Sequence, residues 1–181
     1  MNRKLQAVFV LPAIAAALAG CSSPAPQTPP SAHNAADVTF ARDMVPHHRQ
    51  AVEMAAPVPQ HTANQRVIGL AQEIQQAQQP EIDRLTQWLT AWGSAPAAPM
   101  SGMDHGASMP GMVDTAGLDR LHDQDYDRTW LHLMIQHHEG AVTMARTELS
   151  QGQDPAAKAM AQRITDTQQT EITTMKSLLG G

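Results

Sequence analysis

Between residues 40 and 54 the side chains Phe40, Met44, His47, Ala51 and Met54 recur at intervals of 4, 3, 4 and 3 residues, one face of an amphipathic helix with an imidazole set into its apolar seam. The same seam returns at Trp130, Met134, His137, Ala141 and Met144. A second stripe, formed by Val67, Leu70, Ile74, Gln78, Glu81, Leu85 and Trp88, is matched around Met160, Ile164, Gln168, Glu171 and Met175. These patterns predict four helices in two pairs. The breaks between partners fall at "AAPVPQ" (55–60) and "SQGQDP" (150–155), where Asp154 suits an N-cap and Pro155 the first helical position.

The two pairs are copies of one unit. A shift of 90 residues carries Asp37, Thr39, Met44, His47, His48, Ala51, Val52, Met54 and Ala55 onto Asp127, Thr129, Met134, His137, His138, Ala141, Val142, Met144 and Ala145. Without a gap it also carries Gln78, Gln79, Glu81 and Ile82 onto Gln168, Gln169, Glu171 and Ile172. Short turns make each unit an antiparallel hairpin, and a single hairpin cannot bury its own apolar face. The expected fold is therefore all-α, a four-helix bundle made of two repeated αα-hairpins with approximate two-fold symmetry. Pro46 and Pro80 lie inside the helical patterns of the first copy only, so kinks are expected there.

Adjacent helix positions differ by about 100°, so His47 and His48 face different ways. The seam turns His47 and His137 inward and His48 and His138 towards a neighbouring helix or the rim. Met44 stands three residues before His47, giving a Met-x-x-His-His cluster able to offer sulfur and nitrogen to a soft metal; thioether suits Cu(I), and imidazole takes Cu(I) or Cu(II). Packing alone would accept Leu where His47 and His137 stand, and a buried imidazole must be hydrogen-bonded or ligated. Gln78, Glu81, Gln168 and Glu171 fall on inward stripes of the other helices, where they would orient the rings.

Composition adds a second soft-metal element. Between the units, "GSAPAAPMSGMDHGASMPGMVD" (93–114) sets Met100, Met103, Met109, Met112 and His105 among Gly, Ser, Pro and Ala, a sequence with no amphipathic face and the character of a thioether-rich trap. At the N-terminus Arg3 and Lys4 precede a short apolar run and then small residues, the layout of a secretory signal. Its ending "LAGC" resembles the lipobox of bacterial lipoproteins, which would make Cys21 the lipidated first mature residue. Cys21 is the only cysteine, so neither a disulfide framework nor a thiolate metal site is available. The expected organisation is a signal over 1–20, a proline-rich tether over 21–36 and a bundle over 37–179, with repeats 37–92 and 116–179 flanking the loop 93–115.

Loss of the signal leaves 10 basic against 17 acidic residues, a formal balance of −7, which argues against a nucleic-acid partner. No nucleophile constellation or phosphate-binding glycine loop occurs, so an enzyme is not expected. A dinuclear carboxylate oxidase would need Glu-x-x-His pairs, and the sequence has none. A helical interaction module with pH-sensing histidines is the other reading, but it leaves the methionine loop unexplained.

The segments "FARDMVPHHRQAVEMA", "MPGMVD" and "DRTWLHLMIQHHEGAVTMA", with the Q-x-x-E-I element at Gln78 to Ile82 and Gln168 to Ile172, resemble the bacterial domain-of-unknown-function family 305. That family is ferritin-like and helical, and its characterised members include periplasmic copper-binding proteins. The resemblance implies Met44, His47, His48, Met54, Met134, His137, His138 and Met144 as candidate metal residues. It implies copper as the bound ion, Cu(I) by preference with Cu(II) or Ag(I) as further cargo. The first copy carries Glu53 where the second has Thr143, so no shared role attaches to that position. The combined expectation is an exported, lipid-anchored envelope protein that buffers copper or passes it to a copper-handling partner protein.

Overall fold

The structure is a computed structural model that describes residues 32–95 and 109–180. Helix α1 (Ala35–Ala55) begins at a capping box: the Asn34 side chain accepts from the Ala36 and Asp37 amides, and the Asp37 carboxylate accepts from the Asn34 amide. A one-turn helix α2 (Val58–His61) separates it from α3 (Gln65–Ala91). After a short 3₁₀ turn at Leu118–Arg120 come α4 (Asp123–Gln151) and α5 (Pro155–Gly180). Asp154 caps α5 by accepting from the Ala156 and Ala157 amides at 2.8 and 2.9 Å. The first break is thus partly helical. Residues 58–61 correspond to the last turn of α4, which Pro57 and Pro59 detach from α1 by removing two backbone donors.

Helices α1 and α3 run unbroken through Pro46 and Pro80. The carbonyls those prolines leave without a helical donor belong to Arg42 and Gln76, both exposed, so water can take the missing bond. α1 packs on α3 and α4 on α5, and the two hairpins meet through α1 and α4. The result is the all-α four-helix bundle that the periodicity predicts.

Two apolar clusters fill the bundle. One contains Met54, Ile74, Tyr126, Trp130, Met134 and Met175, and the other Phe40, Met44, Leu85, Leu89, Met160 and Ile164. On every long helix the polar pair of the repeat falls between the two: His47 and His48 on α1, Gln78 and Glu81 on α3, His137 and His138 on α4, Gln168 and Glu171 on α5. A polar layer thus divides one core into two.

The hairpins also clasp one another at their turns. Asp37 accepts from the Gln153 and Asp154 amides at 3.0 and 2.9 Å, and Asp127 accepts from the side chain of Asn64, the α3 cap, at 2.8 Å. Asp37 and Asp127 are repeat equivalents, as are Asn64 and Asp154. Each first helix therefore holds the start of the other repeat's second helix.

Candidate metal centre

The two inward histidines of the seam meet at the middle of the polar layer. The His47 and His137 rings stand 3.7 Å apart, centroid to centroid, tilted by 33°, and neither is exposed. None of their four nitrogens has a hydrogen-bond partner. The backbones of Pro110 and His137 approach the His47 ring and offset part of its shift, without meeting hydrogen-bond geometry. Burial, reinforced by the neighbouring His48 and His138, pushes the His47 pKa down to about 3, and burial holds His137 well below the usual imidazole range. Both rings are neutral at physiological pH and free to donate a lone pair.

His48 and His138 are equally buried and are tied to the second helix of their own hairpin. His48 Nε2 donates to Glu81 at 2.9 Å and His138 Nε2 to Glu171 at 2.7 Å. The sequence left these rings between a neighbouring helix and the rim; they take the helix and are fully enclosed. Because the carboxylates accept, each Nε2 carries a hydrogen, which makes Nδ1 the atom that the neutral ring can offer to a metal. Both Nδ1 atoms are buried without a partner, as are the amide groups of Gln78 and Gln168.

Six of the eight imidazole nitrogens in this layer are therefore desolvated and unpaired. Each such group costs about 1–3 kcal/mol in an apolar interior, so the arrangement makes physical sense when something fills it. A proton does not suit the central pair, whose basicity burial suppresses. A metal ion does. Among the described residues no group of three or more His, Cys, Asp or Glu side chains is arranged to hold a metal ion, the four histidines included; an ion bound at these rings would have few nitrogen donors and would draw on the thioethers beside them, a donor set that suits a soft ion.

The methionines divide by position. Met44 and Met134 are fully buried, one turn before His47 and His137, in opposite apolar clusters beside the polar layer. Met54 is also buried, and its carbonyl accepts from the Trp130 indole at 2.9 Å. Met144 is half-buried against the other cluster. Met109 and Met112 are half-buried on the segment leading to α4. Met100, Met103, His105 and Cys21 lie outside the described residues.

Residues 109–113 form a strap across α1 and α4 beside the histidine layer, a feature the sequence reading did not identify. Gln50 on α1 donates to the Val113 carbonyl at 3.0 Å and accepts from the Val113 amide at 3.1 Å. Gly111, at φ +82°, lies directly on Gly140 of α4, and a Cβ at Gly111 would sit 2.6 Å from Gly140 Cα and 2.7 Å from the His137 carbonyl. Glycine is required on both sides of this contact. Gly140 follows the second histidine pair by two residues, a small residue inside a helix that marks the close approach once the strap is known.

The sequence matches the family described as Domain of unknown function (DUF305) over residues 37–179. Two solved DUF305 structures are each 35% identical to it: one described as secreted, from Streptomyces coelicolor (TM-score 0.72, covering 80% of this chain and 92% of that one), and one from Deinococcus radiodurans (TM-score 0.73, 81% and 97%). CopM in its Cu(II)-bound form is 30% identical (TM-score 0.71, 80% and 95%). CopM was also solved in Cu(I)-bound and Ag-bound forms, which are 28% and 27% identical to this chain. A search of curated proteins found no match.

Proposed function

The chain belongs to the DUF305 family, and on that premise we propose that it is an exported copper-binding protein whose cargo is held in the four-histidine layer. The observation that carries this reading is the buried His47–His137 pair with no partner on any nitrogen, flanked by His48 and His138 with their Nδ1 atoms free. Glu81 and Glu171 act as positioning residues, fixing which nitrogen of each outer ring can reach a metal. Met44 and Met134 supply thioethers beside the layer, which favours Cu(I) and Ag(I) over harder ions. CopM, solved with Cu(I), Cu(II) and Ag, supports the same choice of ions.

In this reading the protein buffers copper or hands it on and turns nothing over. It is anchored to the envelope by lipid on Cys21, and its methionine loop gathers metal for the bundle. The alternative of a pH-sensing module gives the six free nitrogens no role at neutral pH.

The test is a Cu(I) titration against a colorimetric chelator, using protein that begins after Cys21. His47→Ala/His137→Ala is expected to lose tight binding, while Met100→Ser/Met103→Ser/His105→Ala keeps it. Tight binding that survives the histidine change would remove the bundle from the account.

A further inference from the structure

The end of the bundle at which α1 begins carries an aromatic and cationic ladder that the histidine layer does not use. His33, which precedes the α1 cap, stacks on Trp92 with ring centroids 4.8 Å apart and planes within 13° of parallel. Trp92 stacks in turn on Trp88 at 5.8 Å, and the Arg84 guanidinium lies 5.8 Å from the Trp88 ring. Both indoles are half-buried against the apolar cluster of Phe40 and Leu89, while His33 and Arg84 are exposed. The fold does not require the ladder. The 90-residue shift carries Arg84 and Trp88 onto Thr174 and Leu178, so the equivalent helix of the other hairpin packs without one.

Charge divides along the same axis. The clasp of Asp37 on Gln153 and Asp154 puts the start of α1 at the α4–α5 turn, and the His33–Trp92 stack adds the end of α3. Among the described residues, this half of the bundle exposes Arg42, Arg84, Arg146 and Arg163 against a single exposed acid, Asp83. The opposite half exposes Glu53, Asp119, Asp123 and Asp125, with Arg120 and Arg128 between them. Here too the repeat shows that packing does not set the sign, since Arg163 falls on Glu73. Arg42 lines a shallow cleft of about 460 Å³ with His33 and Val38, room enough for a phosphate headgroup.

Indole rings beside cations suit the interface of an anionic bilayer, where tryptophan settles at headgroup level and arginine meets phosphate. Cys21 precedes His33 by 12 residues, a length of chain that spans at most about 40 Å. A lipid on that cysteine holds the basic end of the bundle, and not the acidic one, nearest the membrane. We propose that Arg84, Trp88, Trp92 and His33, with Arg42, form a docking face for anionic phospholipid that lays this end on the membrane and turns the acidic end outward. The proposal rests on the lipid-anchor reading of Cys21 and is independent of the copper reading.

The experiment places the lipidated protein in vesicles of phosphatidylcholine and phosphatidylglycerol whose acyl chains carry bromine, a short-range quencher of tryptophan. Quenching is expected, and Trp88→Leu/Trp92→Leu should abolish it, leaving the emission of the fully buried Trp130 unquenched. Leucine stands at the Trp88 position in the other repeat, so the fold is kept. The unlipidated Cys21→Ser chain should bind phosphatidylglycerol vesicles weakly and lose that binding in high salt. Arg42→Gln/Arg84→Gln should lower it at least about threefold while leaving Cu(I) affinity unchanged. Unquenched emission in the anchored parent, or vesicle binding that the arginine change does not alter, would overturn the docking face. An unlipidated Cys21 by mass spectrometry of the exported chain would instead overturn the anchor reading, and the Cys21→Ser result alone would then decide the docking face.

Discussion

His47 and His137, repeat equivalents 90 residues apart, bring their rings to 3.7 Å in a fully enclosed layer and bond to nothing. A core built only for stability would not keep this pair. His47→Leu/His137→Leu is accordingly expected to stabilise the metal-free bundle by about 2 kcal/mol or more, because it removes four unpaired buried nitrogens. Urea unfolding of the metal-free protein measures it. A loss of stability of similar size would mean that the rings serve the fold.

The outer imidazoles depend on their carboxylates. Glu171→Ala should leave the bundle folded while weakening Cu(I) binding about 10–100-fold, since His138 would no longer be fixed with Nδ1 free. Chelator competition gives the affinity, and nitrogen-15 spectra of the histidines report the tautomer. An unchanged tautomer with unchanged affinity would show Glu171 to be a bystander.

The repeat and its inward histidines are legible in the sequence because a 90-residue shift superposes Met44, His47 and His48 on Met134, His137 and His138 with no gap. The cap at Asp154 is legible too, since cap chemistry is local. The strap is not. Gln50 pairs with a backbone 63 residues away, and Gly111 meets Gly140 only after the hairpins have docked. The reciprocal clasp through Asp37 and Asp127 lay half-visible: both aspartates appear in the repeat, but their partners are turns whose position depends on the tertiary fold.

Acid and base each destabilise the metal-free fold, through different groups. The folded pKa of His47, about 3, lies below its ordinary 6.5, so the unfolded chain takes up a proton that the folded one refuses. Stability is then lost as pH falls from 6.5 towards 3, by about 1.4 kcal/mol per unit, and His137 adds to the slope. Glu148, desolvated and beside Asp37, is pushed up to about 8 from 4.5, so its contribution is lost as pH rises through that interval. Two imidazoles outweigh one carboxyl below 6.5, placing the maximum near that pH. Glu148→Gln should flatten the decline between 6.5 and 8 in urea midpoints; an unaltered alkaline limb would refute the assignment.

Gly140→Ala should lift the strap, because the added methyl would collide with the Pro110 carbonyl and Gly111 Cα. The expected signs are faster release of bound Cu(I) to a chelator and new reactivity of the four histidines towards diethyl pyrocarbonate. Unaltered release and protection would show that the strap does not close the centre.

The central claim, that copper sits on the imidazoles of the polar layer, is tested most directly by copper K-edge X-ray absorption of protein loaded with one equivalent of Cu(I). Nitrogen scatterers with the multiple scattering of imidazole, lost in His47→Ala/His137→Ala, are predicted. A first shell of sulfur alone, the same in parent and variant, would contradict the account.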